Sequence, residues 1–238
     1  WLGEYYSRRS DWQRALNYFS RYAHAAERLV ASAPNSFDYM MESGYGASNI
    51  GRILLQGLND PAAAQRSFSA ALGWFERAGR ARPRAQIARR KQANAHAWIA
   101  DTFYARREMT ESLRSRERQL AISVDLVMAS PADMELLFDL VRAQRSVGIL
   151  SAILSGPAAG GSHLLRALEN SRRLVAHDPN NQDWLVMKAL IECDLLRAPS
   201  LPPPLVRSQL NSELRADGDA LIVRHNPYVS TISCLDER

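Results

Sequence analysis

The chain has 238 residues and a mass of 26.7 kDa, enough for one large domain or two small ones with a core that needs no disulfide. Ala, Leu and Arg supply 91 of those residues and Thr only three; with 46% apolar and 23% charged residues, this excludes collagen-like and wholly disordered chains and favours helix. The formal charge is +5, and it is regional: residues 76–118 hold twelve Arg or Lys against five Asp or Glu.

Taken in chain order, the apolar periodicity predicts helices joined by short breaks. Trp1 to Tyr6 reads as the last turns of a helix whose beginning is missing, and Ser7 to Asp11 breaks it. A second helix runs toward Pro34, and a third from there to about Gln56. Gly57 to Pro61 interrupts it, with Asp60 placed as N-cap and Pro61 as the first residue of a fourth helix that reaches about Arg82. Similar breaks fall at Arg107 to Thr110 and at Ser155 to Ser162, where Gly156 to Ser162 reads as a flexible turn. Further on, the fifth turn carries Pro199, Pro202, Pro203 and Pro204, and Tyr228 to Arg238 opens a unit that does not finish.

The prolines expose a repeat. Pro34, Pro83, Pro131, Pro179 and Pro227 are separated by 49, 48, 48 and 48 residues. They divide the chain into repeats at about 1–34, 35–83, 84–131, 132–179 and 180–227, with a partial sixth at 228–238. The expectation is one helical array over 1–238, cut from a longer protein. Within it, Leu2, Gly3, Tyr6, Ala15 and Phe19 have a spacing that Gly51, Leu54, Ala63 and Phe68 repeat approximately, and Gly148 marks the same place again. These residues resemble the tetratricopeptide repeat family, in a long-helix form: the family repeat is 34 residues, and adding seven residues, about two turns, to each helix of a pair keeps the apolar stripe on nearly the same side. The third repeat departs from the pattern, with Ser112 and Arg116 in the Ala and Phe places. The resemblance implies an all-α, right-handed α-solenoid of antiparallel helix pairs.

No sequence pattern points to catalysis. HExxH, GxSxG and a strand-borne GxGxxG are missing, and Gly46 to Ile53, the nearest echo of a phosphate loop, lacks its Lys and lies in a helical pattern. Cys193 and Cys234 stand 41 residues apart with no Cys/His cluster, so no metal or cofactor is expected. His177 and His225 share a slot two residues before a proline, at helix ends where a cation favours the dipole. No run approaches 18 apolar residues and no leader pattern is present, which gives a cytoplasmic expectation without a membrane span.

In the family that the chain resembles, the first helix of each pair lines a concave groove, and this implies the inward positions. They are Tyr45, Ser48, Arg52 and Leu55, then Asn94, Ala97, Asp101 and Tyr104, then Arg142, Arg145, Ile149 and Ala152, with Met41, Arg90 and Phe138 added by the longer helices. The expected partner is a protein or an acidic peptide, held mainly by Tyr45, Arg52, Arg90, Asn94, Tyr104, Arg142 and Arg145; Asn94 with Arg142 and Arg145 is the set nearest to the family's carboxylate clamp. The function expected is a non-enzymatic protein–protein interaction scaffold. The alternative is the sensory or regulatory array of a larger bacterial signalling protein whose effector domain lies outside this sequence. Nucleic acid is not the expected partner, because the basic segment has little aromatic interleaving and no base-reading motif. Self-association is expected through the array ends, at Trp1 and Leu2 and at Tyr228, Val229, Ile232 and Leu235.

Overall fold

Among the described residues, four repeat prolines, Pro34, Pro83, Pro131 and Pro179, each stop one helix and position the cap of the next. The computed structural model describes residues 2–198 and 206–223, and among them α2 (Trp12–Ser32), α4 (Pro61–Ala81), α6 (Met109–Ala129) and α8 (Pro157–His177) all end two residues before a proline. Two residues after the proline comes the N-cap of the following helix: Ser36 for α3 (Phe37–Arg52), Ala85 for α5 (Gln86–Ala105), Asp133 for α7 (Met134–Ser155) and Asn181 for α9 (Gln182–Leu196). Ser36, Asp133 and Asn181 accept backbone N–H groups of the first turn through their side chains. Ala85 has no such side chain, so α5 starts uncapped. α1 (Leu2–Arg8) and α10 (Arg207–Val223) complete the ten α-helices, and there is no strand among the described residues. Trp1, Pro199 to Pro204, His225, Pro227 and the partial sixth repeat at 228–238 lie outside the described residues.

The turns inside the helix pairs share a second device. Ser10, Asn59, Arg107 and Gly156, again about 48 residues apart, all adopt positive φ, at 58°, 51°, 63° and 89°. One left-handed residue reverses the chain in each of these four pairs, and only the fourth is the glycine that this conformation favours. The second turn is reached through a π-helical stretch, Ile53–Gly57, closed by Leu58 N–H to Ile53 O at 3.0 Å. The fourth differs from the sequence expectation. Only Gly156 separates α7 from α8, and Pro157 to Ser162 is helical, because Pro157 suits a first helical position and starts the helix at once.

The chain divides into two compact units, Trp1–Ile122 and Ser123–Arg238, with the boundary inside α6. In the N-terminal unit α1 to α5 pack each on the next. The small-residue slots explain how closely: a Cβ added at Gly3 would come within 2.9 Å of the Phe19 ring, and one at Gly51 within 2.7 Å of the Phe68 ring. Four residues before each Phe stands a fully buried alanine, Ala15 and Ala64. The second is a correction by one residue, since Ala63 is only half-buried and Ala64 holds the slot that Ala15 occupies. In the third repeat Ser112 takes the alanine place and donates to Ala100 O at 2.9 Å, and Arg116 takes the Phe place and pairs with Asp101. Polar bonds there do what ring packing does next door.

In the C-terminal unit α7 to α10 also pack in succession, and α7 touches α9. Here Gly160 falls in the alanine place, where a Cβ would stand 2.1 Å from Gly148 O on α7. The two backbones are therefore nearly in contact. Farther along, Leu185, Ala189, Cys193, Leu214 and Leu221 form the core between α9 and α10.

Candidate functional site

A recess of about 660 Å³ opens in the N-terminal unit between α1, α2 and α3. Its walls come from Leu2, Gly3, Glu4 and Arg8 on α1, from Tyr18, Phe19 and Tyr22 on α2, and from Glu42, Tyr45 and Asn49 on α3. Helical spacing places them: Tyr18 and Tyr22 are one turn apart, as are Glu42, Tyr45 and Asn49, so each set projects from one face. The small size of Gly3 and Gly46 draws the helices together, the latter with its Cβ position 2.8 Å from the Ala23 backbone.

The electrostatics of the recess centre on Glu42. Tyr22 donates its hydroxyl to this carboxylate. Burial, followed by that hydrogen bond and the charge of Glu42, raises the Tyr22 phenol far above its ordinary pKa; burial and the same charge raise Tyr45. Both phenols therefore stay protonated at neutral pH. The Tyr45 ring lies 5.7 Å from Phe75 and carries the Lys91 ammonium 5.2 Å from its centroid. Glu4, the other acid of the wall, accepts Arg52 at 2.7 Å and lies 3.8 Å from Arg8.

The residues expected to line a groove fall into several environments. Tyr45 lines the recess. Arg52 sits at its edge, tied to Glu4, with its guanidinium 6.0 Å from the Phe19 ring centre. Arg90 and Asn94 are half-buried on α5, and Tyr104 is exposed near its end. In the C-terminal unit Arg142 is exposed with its guanidinium 6.0 Å from the Phe138 ring, whereas Arg145 is bound to Asp194 of α9 at 2.6 Å. Met41, expected inward, belongs instead to the core with Phe37, Met40 and Phe75, because it faces α4. Sequence reasoning missed Glu4, Tyr18, Tyr22 and Glu42. The available signal was Glu42 standing one turn before the inward Tyr45.

A second polar cluster lies between α9 and α10. Lys188 Nζ is 2.6 Å from Asp217 and 3.0 Å from Glu192, whose side chain is fully buried. Burial, opposed by Lys188 and reinforced by Asp217, pushes the Glu192 carboxyl up to about 8. Lys188 is raised: burial lowers it, and the two carboxylates outweigh burial. Two carboxyls share one ammonium, so one of them holds a proton near neutrality. No group of three or more His, Cys, Asp or Glu fit to hold a metal occurs among the described residues, and none of their helices is long and apolar enough to cross a membrane.

No protein-family model matches the chain, and a search of curated proteins finds no match. Among solved structures, the crystal structure of BtubC (BKLC) from P. vanneervenii is similar over 95% of this chain and 92% of that one, with a TM-score of 0.53 and 15% sequence identity. At that identity the likeness concerns the helical fold alone.

Proposed function

We propose that the chain is a non-enzymatic interaction scaffold, a tetratricopeptide-like right-handed array of helix pairs that docks a protein or acidic peptide along its first helices. The observation that carries this reading is the division of labour between helices. Small residues press the helices of a pair together at Gly3, Gly51 and Gly148, while the first helices keep polar and aromatic side chains at the surface. Tyr104 and Arg142 are exposed there, and Arg90 and Asn94 are partly so. In the C-terminal unit an acidic segment would meet Arg142 and replace Asp194 at Arg145, and in the N-terminal unit it would replace Glu4 at Arg52, one carboxylate for another.

Titration of a fluorescein-labelled hexapeptide of alternating Glu and Leu, followed by anisotropy, tests the reading. The chain binds it in a salt-sensitive way, and Arg90→Glu with Arg142→Glu weakens binding by about tenfold or more. Equal affinity for the native chain and the double variant would remove the groove assignment.

A further inference from the structure

We propose that the recess between α1, α2 and α3 receives an arginine side chain presented by a partner polypeptide. This rests on reading the chain as a scaffold that docks polypeptide segments, and it assigns one subsite and its specificity.

Charge is the first argument. Glu4 is engaged by Arg52 and Arg8, whereas among the described residues Glu42 accepts only the Tyr22 hydroxyl and forms no ion pair with a cation. An ionised carboxylate has about four acceptor sites, so Glu42 retains capacity for a two-pronged donor. An acidic side chain in the recess would face this charge. An apolar one would strip water from it without replacing the lost hydrogen bonds.

The walls are the second argument. Tyr22 and Tyr45 stand beside the carboxylate and Tyr18 lines the same recess, and a guanidinium is the cation best matched to rings and carboxylate together, because it stacks flat on a ring and forks onto a carboxylate. The same unit already uses this pairing on its own side chains: Arg9, Arg14 and Arg21 lie over the rings of Tyr5, Tyr6 and Tyr18 at 4.3, 5.5 and 5.8 Å. Size is the third. A recess of about 660 Å³ is far larger than a bare ion requires and admits a long aliphatic stem with its planar head, with the Asn49 amide at the wall as a further acceptor.

The probes are two fluorescein-labelled hexapeptides that differ at one central residue, arginine in one and its neutral isostere citrulline in the other. With the whole chain, the arginine peptide binds at least about tenfold more tightly, the difference shrinks as salt rises, and Glu42→Gln brings the two peptides within about twofold of each other. Tyr45→Leu gives a second reading of the same site should Glu42→Gln fail to fold. Equal affinity for both peptides, or an arginine preference untouched by either variant, overturns the proposal. The alternating Glu–Leu hexapeptide separates the two levels: a chain that binds it without preferring arginine refutes the subsite alone, and a chain that binds none of the three refutes the scaffold reading as well.

Discussion

The guanidinium of Arg52 lies 2.7 Å from the carboxylate of Glu4, 48 residues earlier in the chain and at the same place in the preceding repeat. It ties the first helices of two successive pairs together at the edge of the recess. Arg145 and Asp194 do the same for α7 and α9, 49 residues apart and at 2.6 Å. Because Arg52 and Glu4 keep 27% and 40% of their side-chain surface, the coupling is modest. A double-mutant cycle with Arg52→Ala and Glu4→Ala gives about 0.5–1 kcal/mol, diminishing with salt. A cycle energy of zero at low salt would mean that this pair does not hold the helices in register.

The uncapped start of α5 predicts a stabilising substitution. Ala85 has φ −78° and ψ 93°, backbone already suited to an N-cap, while its counterparts Ser36, Asp133 and Asn181 supply a side-chain acceptor. Ala85→Asp raises stability by about 1 kcal/mol in chemical denaturation. No gain would show that the first turn of α5 is satisfied by other means.

Gly160 makes the opposite case. Its Cβ position lies 2.1 Å from Gly148 O, a backbone atom that cannot swing aside. Gly160→Ala therefore destabilises the C-terminal unit by about 3 kcal/mol, although alanine is the better helix former. At Gly73, where a Cβ would meet nothing, the same substitution in α4 should stabilise slightly, which makes a clean control.

The buried Glu192 sets a pH dependence. Its carboxyl titrates near 8 in the folded chain against an ordinary 4.5, so between these values the folded state holds a proton that the unfolded state has released. Stability of the C-terminal unit thus falls as pH rises from about 4.5 to about 8, and levels off above. Glu192→Gln, neutral at every pH, abolishes this slope in melts run across the range; a slope that survived the substitution would locate the titrating group elsewhere. In the N-terminal unit the sign reverses. Burial, aided by Arg118, lowers His96, so protonation favours unfolding, and stability drops as pH falls below about 6.5.

Most of the fold is legible in the sequence because its punctuation is local. The prolines, Asp60, Pro61 and the glycine slots act within a turn of where they stand, so helix ends at Ser32, Ala81, Ala129 and His177 follow from spacing. The error at Gly156 to Ser162 came from treating a run of small residues as a turn, when Gly160 is instead the price of a close helix crossing. Side-chain partnership was less accessible. The register that sets Arg52 on Glu4 and Arg145 on Asp194 depends on how successive pairs stack, and two arginines read as open contacts prove to be tied within the chain. Glu42 was passed over for a similar reason: an acid on a helix face reads as solvated until Tyr22, twenty residues away, is seen to meet it.

Hydrogen exchange with and without the bound Glu–Leu hexapeptide tests the central claim most directly, since the claim is that partners dock along the first helices. Slowed exchange, with side-chain shifts at Arg90, Asn94 and Arg142, should concentrate in α5 and α7, leaving the outer surfaces of α4 and α8 unchanged. Protection confined to α4 and α8 would contradict the account.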